Sequence, residues 1–256
     1  MSLSKESELP KEIKDIDHYP LFGLVGPTGS GKSELAKLIS NYLSIPNYKI
    51  KWLREKFMEN PFLKDFYDDP TQSGVSFKCE TCFLTTKTEQ LKKVSGLLKN
   101  KSVIVDPSFE GDKIFAKAQE EMGWMTKEEY DTYLHLSDTY KDHYQIPEPD
   151  IFIVVNASSE VIMDRIRTRN RKFEQSLLER FPDYFLKLCK LSDSFYEEKK
   201  GNKPVIRIDT GKIDFVNKPD GKWQAVKEIG DWLGYYGKNL NGNDEKWNNL
   251  ILPKFI

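Results

Sequence analysis

Histidine and cysteine are both scarce in this 256-residue chain, with three of each. So few leave little from which to build a His/Cys metal centre. Cys79 and Cys82 have CxxC spacing, yet His18, His135 and His143 stand at no spacing that would complete a zinc site. The pair falls inside an expected helix rather than at a helix start, so a structural role is expected over a redox one. A sparse, odd cysteine set and a charged first twenty residues without an apolar core point to a reducing, cytoplasmic compartment. Long apolar runs are missing as well. Those at 21–25 and 151–155 are far too short to cross a bilayer, which excludes a helical membrane protein. Nor does either sign of charge prevail: 39 Lys and Arg stand against 40 Asp and Glu, for a net charge of -1. A globally basic nucleic-acid binder is excluded, local basic patches aside.

What is present is an alternation. Short apolar runs at 21–26, 102–106, 150–156 and 205–209 have the length and bounds of buried strands, with a weaker candidate at 48–52. Helical patterns lie between them, at 32–43, 73–98, 112–122, 127–144, 159–168, 177–199 and 222–233. Strands that alternate with helices predict an α/β fold, a parallel sheet covered by helices on both faces. The expected layout is a loosely ordered leader over 1–20, one domain over 21–235, and a C-terminal tail over 236–256.

Gly26-Pro27-Thr28-Gly29-Ser30-Gly31-Lys32-Ser33 matches G-x-x-x-x-G-K-[ST] and sits between an expected strand and an expected helix. Backbone N–H groups of such a loop, with the helix N-terminus, cradle phosphates. Lys32 is placed to reach the β/γ-phosphates and the Ser33 hydroxyl to ligate Mg²⁺, so the chain is expected to bind a nucleoside triphosphate. Asp106, ending the run Ser102-Val103-Ile104-Val105, brings a carboxylate to the edge of the sheet where ligands collect. It reads as the second metal-holding group, the alternative being an Asp that merely ends a strand. From Arg165 to Lys172, five of eight residues are cationic and none is acidic. Arginines at i, i+2, i+4 and i+6 share no helical face, so a lid closing over transferring phosphates explains them better than a solvated helix side.

These motifs, in this order, resemble the deoxyribonucleoside kinases, in particular the bacterial deoxyadenosine/deoxyguanosine kinase branch. Glu55 followed five residues later by Asn60-Pro61, then Tyr67-Asp68-Asp69-Pro70, the arginine stretch 165–174 and the late segment Ile208 to Phe215 carry the resemblance. It implies a P-loop kinase fold with an arginine lid, and ATP- and Mg²⁺-dependent phosphorylation of a nucleoside 5′-hydroxyl, most plausibly of a purine deoxynucleoside. A homodimer built from helices is implied too, 73–98 and 127–144 being the candidates. Residue by residue, the resemblance makes Glu55 the general base. Tyr67 and Glu174 hold the sugar 3′-hydroxyl, Phe77 lines the base pocket and Asp112 belongs to the base-reading network. Arg169 and Arg171 close on the phosphates, while Arg165, Asp214 and Phe215 surround the donor adenine.

The acceptor side departs from that pattern. Pro107 stands where the family has an arginine, Lys78 where it reads the base with glutamine, Thr85 where a second arginine is usual, and Ala116 beside Phe115 where an aromatic often stacks. A lysine only donates and carries charge, whereas a glutamine amide both donates and accepts. Lys78 therefore predicts altered recognition, toward an acceptor-rich or anionic group, unless the ungapped count is wrong and it faces solvent. A cation such as Lys78, Arg54 or Lys113 would have to replace the arginine lost at Pro107. The rival readings are a kinase of a nucleoside monophosphate or other small acceptor, and a nucleotide-binding protein with weak or lost activity.

Overall fold

The structure is a computed structural model, and it describes residues 19–42, 49–216 and 218–239. Five strands, β1 (Leu21–Val25), β2 (Ile50–Arg54), β3 (Ser102–Asp106), β4 (Ile151–Asn156) and β5 (Val205–Asp209), form one sheet in the order β2-β3-β1-β4-β5. Every pairing is parallel, with Gly23 opposite Val105 on one side and Phe152 on the other. β1, β3 and β4 are buried at every position, as their unbroken apolar runs require of strands covered on both faces. The α/β fold expected from the alternation is the observed one.

The helices are α1 (Lys32–Tyr42), α2 (Leu63–Asp68), α3 (Val75–Leu91), α4 (Val94–Leu97), α5 (Phe109–Glu121), α6 (Lys127–His143), α7 (Ser159–Arg169), α8 (Lys172–Arg180), α9 (Pro182–Lys199) and α10 (Pro219–Asn239). Two expected helices are each divided. The one over 73–98 becomes α3 and α4. The one over 177–199 belongs to α8, which begins earlier, and α9, separated at Phe181-Pro182 because proline has no N–H to continue a helix and fits its first turn. α5 starts three residues before its expected first residue, where the Ser108 hydroxyl accepts from Gly111 N at 3.1 Å as an N-cap. α10 is longer than expected at both ends. The weak strand placed at 48–52 lies at Ile50–Arg54; Tyr48, the leader up to residue 18 and the tail from residue 240 lie outside the described residues.

Leu24, Leu35, Ile39, Ile153, Val155 and Phe215 fill one layer between the sheet and helices α1 and α10. On the other face Val25, Val154, Ile162, Leu177, Phe185 and Leu188 pack under α5, α7, α8 and α9. Cys79 and Cys189 belong to that layer, all three cysteines are free, and among the described residues no group of His, Cys, Asp or Glu is placed to hold a metal on its own. Among the described residues no helix is long and apolar enough to cross a membrane.

Candidate active site

The loop after β1 begins with Gly26 at φ 150°, where a Cβ would lie 2.1 Å from the Val155 carbonyl oxygen of the neighbouring strand. Only glycine lets the chain leave the sheet so closely. Lys32, at the start of α1, folds back to donate to Gly26 O at 2.7 Å and Pro27 O at 2.9 Å. Burial pulls its ammonium below the usual lysine range, with Asp106 and Glu55 acting against that. Beside it the Ser33 hydroxyl donates to Asp106 Oδ2 at 2.7 Å. A hydroxyl and a carboxylate converging at the mouth of a phosphate loop are the hard oxygen donors that Mg²⁺ takes, so the donor set fits that ion.

Thr28, Gly29, Gly31, Lys32 and Ser33 line one end of a cleft of about 1080 Å³. Gly26 and Ser30 lie behind it; the Ser30 carbonyl accepts from Thr210 Oγ1 at 3.0 Å. Thr210, which no motif marks, is a joint of this wall. Arg165 donates to its Oγ1 and its carbonyl oxygen, each at 2.6 Å, tying α7 to the loop after β5. Arg165 and Asp214 line the cleft as expected, but Phe215 does not. Its ring is 2 % exposed and packs beneath the loop, 3.2 Å from where a Gly31 Cβ would stand. Burying a phenyl ring in the core outweighs leaving it at the cleft wall.

Glu55 follows β2 and is fixed to the neighbouring strand by its N–H, which donates to Asp106 O at 3.1 Å. Downstream, Asn60 accepts from Phe62 N at 3.0 Å and donates to Cys79 O at 2.9 Å, which pins the 55–62 segment on α3. Glu55 also meets a buried cation, and it is none of the three expected. Lys87, 2 % exposed, donates to Pro107 O at 2.7 Å, Asp112 Oδ1 at 2.9 Å and Glu55 Oε1 at 3.2 Å. An ammonium has three hydrogens, and each has an acceptor here. Burial disfavours the charge, but Asp112 and Glu55 outweigh it and hold Lys87 above its usual range. Burial also pushes the Asp112 carboxyl up, with Lys87 pulling it back.

The expectation built on Lys78 is overturned. Lys78 and Thr85 are exposed and Phe77 packs in the α3–α6 core with Leu84 and Leu91, none of them lining the cleft. Two residues along a helix is a turn of about 200°, enough to exchange outer and inner faces. The side chains that α3 presents inward two residues further on are Glu80 and Lys87. Glu80 lines the cleft together with Asp112, Phe115, Phe83 and Tyr184. Arg54 lines the cleft with its guanidinium over Trp52, whereas Lys113 points away to Asp138.

Tyr67 lines the cleft with its ring 4.7 Å from Phe173, and burial raises its phenol strongly. Across from it Glu174, 3 % exposed, receives both arginines of the 165–174 stretch that were singled out for phosphate. Arg169 Nη2 lies 2.5 Å from its Oε2 and Arg171 Nη1 lies 3.2 Å from its Oε1. Both arginines and Glu174 line the same cleft.

A parallel sheet with a phosphate loop leaving its central strand, and an acidic pocket continuous with that loop, define a P-loop phosphotransferase acting on a small acceptor. A sequence profile described as "Deoxynucleoside kinase" matches residues 23–233. The chain belongs to the deoxynucleoside kinase family and is a nucleoside kinase with ATP as phosphate donor. It is 30% identical over 220 residues to a deoxyguanosine kinase of Lactobacillus johnsonii, covering 84% of this chain and 93% of that one. A deoxyadenosine kinase of Dictyostelium discoideum is 26% identical over 254 residues, 98% of this chain and 96% of its own length. In fold it is similar to a deoxyadenosine kinase from M. mycoides solved with bound dATP, at 24% identity and a TM-score of 0.65, covering 84% of this chain and all of that one.

Proposed function

We propose that this chain transfers the γ-phosphoryl group of ATP to the 5′-hydroxyl of a purine deoxynucleoside, with Glu55 as the general base. The observation that carries the reading is the position of Glu55 between the two halves of the cleft. Its charge acts on Lys32 of the phosphate loop and on Asp112 of the acceptor end alike. A carboxylate there takes the hydroxyl proton as the oxygen attacks phosphorus, and Lys87 and the Asp106 carbonyl hold its orientation. Tyr67 and Glu174 fit the sugar 3′-hydroxyl, one donating and one accepting. Ser33 and Asp106 would hold Mg²⁺, which supplies charge neutralisation on the phosphate oxygens when bound.

In this reading Arg169 and Arg171 form the lid: they leave Glu174 for the transferring phosphates once the sugar hydroxyl has claimed that carboxylate. Arg165 and Asp214 face the donor adenine. The phosphate loop residues Gly26 to Ser33 wrap the triphosphate with their N–H groups, which suits a reaction that depends on positioning and charge more than on covalent chemistry. A cytoplasmic, homodimeric enzyme with α3 and α6 at the subunit contact belongs to the same reading.

The acceptor end disfavours a nucleoside monophosphate. The lysine that argued for an anionic acceptor, Lys78, is exposed, and the one that is buried, Lys87, is already shared by two carboxylates. ATP-to-ADP turnover against a panel of nucleosides, deoxynucleosides and monophosphates tests this. The expected result is turnover on purine deoxynucleosides that falls at least 100-fold in Glu55→Gln, general-base catalysis contributing about 10²–10⁴-fold. Turnover on monophosphates alone, or an unaffected Glu55→Gln, overturns it.

A further inference from the structure

Three carboxyl groups, those of Glu55, Glu80 and Asp112, surround the acceptor end of the cleft, and Lys87 bonds only two of them. Glu80 is the third. Its residue is 5 % exposed, it lines the cleft, and among the described residues its hydrogen-bond partner is an amide: Gln119 Nε2 donates to Glu80 Oε1 from α5 behind it. A buried carboxylate facing two other carboxylates, without a cation of its own, sheds its charge by keeping its proton.

We infer that Glu80 reads the acceptor's base as a neutral carboxylic acid, its Oε1 tied to Gln119 and its Oε2–H donating to an acceptor atom on the base edge. This rests on the nucleoside-kinase reading above and adds the chemistry of its specificity. With Asp112 accepting on the same side, the fitting edge is a ring-nitrogen acceptor beside a donor amine, the order found along the edge of a 6-aminopurine. An ionised Glu80 would instead suit an edge made of donors only, such as N1–H with the 2-amino group of guanine. The base preference of the enzyme thus depends on the proton of Glu80.

The carboxyl groups facing Glu80 act in the same direction. Burial raises its carboxyl to about 8, Asp112 and Glu55 add to the rise, and Gln119 and Lys87 oppose it. Tyr133, Tyr184 and Cys79, which also face it, are raised so far by burial that they stay neutral across the accessible range.

The test is the pH dependence, from 6 to 9.5, of kcat/KM for deoxyadenosine and deoxyguanosine in the wild type, Glu80→Gln and Glu80→Leu. A glutamine amide reproduces the neutral acid, one acceptor toward Gln119 and one donor toward the base, at every pH. In the wild type the ratio of deoxyadenosine to deoxyguanosine kcat/KM is expected to fall above about pH 8, through the acceptor's KM. In Glu80→Gln that ratio stays flat. Glu80→Leu loses about 10- to 100-fold at all pH with the KM for ATP unmoved, and Glu80→Gln recovers most of that loss. A Glu80→Gln as impaired as Glu80→Leu, a wild-type ratio that does not change with pH, or a Glu80→Leu indistinguishable from wild type would each overturn the inference. Wild-type turnover at pH 6.5 checks the nucleoside-kinase reading separately, because it is measured without any variant.

Discussion

Replacing Lys87 by methionine tests how the acceptor end is held together. The substitution keeps the length of the side chain and removes one ammonium that serves Pro107 O at 2.7 Å, Asp112 Oδ1 at 2.9 Å and Glu55 Oε1 at 3.2 Å. Lys87 and Asp112 are 2 % and 4 % exposed, so water does not replace what is lost. Breaking a buried pair by removing one partner costs about 3–5 kcal/mol, because a carboxylate is left uncompensated. The orphaned Pro107 carbonyl brings the expected loss to about 4–6 kcal/mol. For a chain of this size that is a fall in Tm of roughly 8–24 °C at about 2–4 °C per kcal/mol. Calorimetry or urea unfolding reads the stability; steady-state kinetics reads the site. kcat should fall by about 100-fold as Glu55 loses its guide, with a smaller change in the KM for ATP, since Lys87 acts on Lys32 of the phosphate loop only through its charge. Adding Asp112→Asn removes the stranded charge and should restore about 2 kcal/mol. A Lys87→Met protein that loses less than 1 kcal/mol and keeps its kcat would refute the argument.

The remaining expectations concern other parts of the same site. Burial holds the Glu80 carboxyl near 8 in the folded chain, against about 4.3 unfolded, so its contribution is fully present below the unfolded value and is lost as pH rises through 8. The urea midpoint of the wild type should therefore drop between pH 5 and 9, and that of Glu80→Gln should drop less; equal slopes would contradict the burial argument. Gly31→Ala places a Cβ at φ 97°, 3.2 Å from the Phe215 ring, and should cost about 1–3 kcal/mol and weaken ATP binding, read by unfolding and by nucleotide titration. Ser33→Ala and Asp106→Asn should each raise the Mg²⁺ concentration needed for half-maximal turnover about 10-fold or more; an unchanged Mg²⁺ requirement in both would remove these residues from the metal site.

What local sequence determines is the half of the site built by consecutive residues. Gly26 to Ser33 form a phosphate loop because glycine spacing, a buried strand before it and a helix after it are all encoded within twenty residues. Asp106 was legible for the same reason, as the last residue of a five-residue apolar strand. The parallel sheet followed from strands with no polar face. Pro182 marks a helix start in plain sequence, but periodicity alone ran through it, and the division of α8 from α9 was missed.

Tertiary structure decided the other half, because two residues along a helix of 3.6 residues per turn carry a side chain to the opposite face. Lys78 and Glu80 are near neighbours in the chain, yet one lies in solvent and the other 5 % exposed against Gln119, 39 residues away. Lys87 carries no motif of its own. It becomes the hub of the acceptor end only when α3, the strand-end Pro107 and α5 are brought together over sequence separations of 20 and 25 residues. Phe215 shows the converse. It fits a donor-adenine wall by sequence order, but the core beneath Gly31 claims the ring, and burial of apolar area decides where it goes.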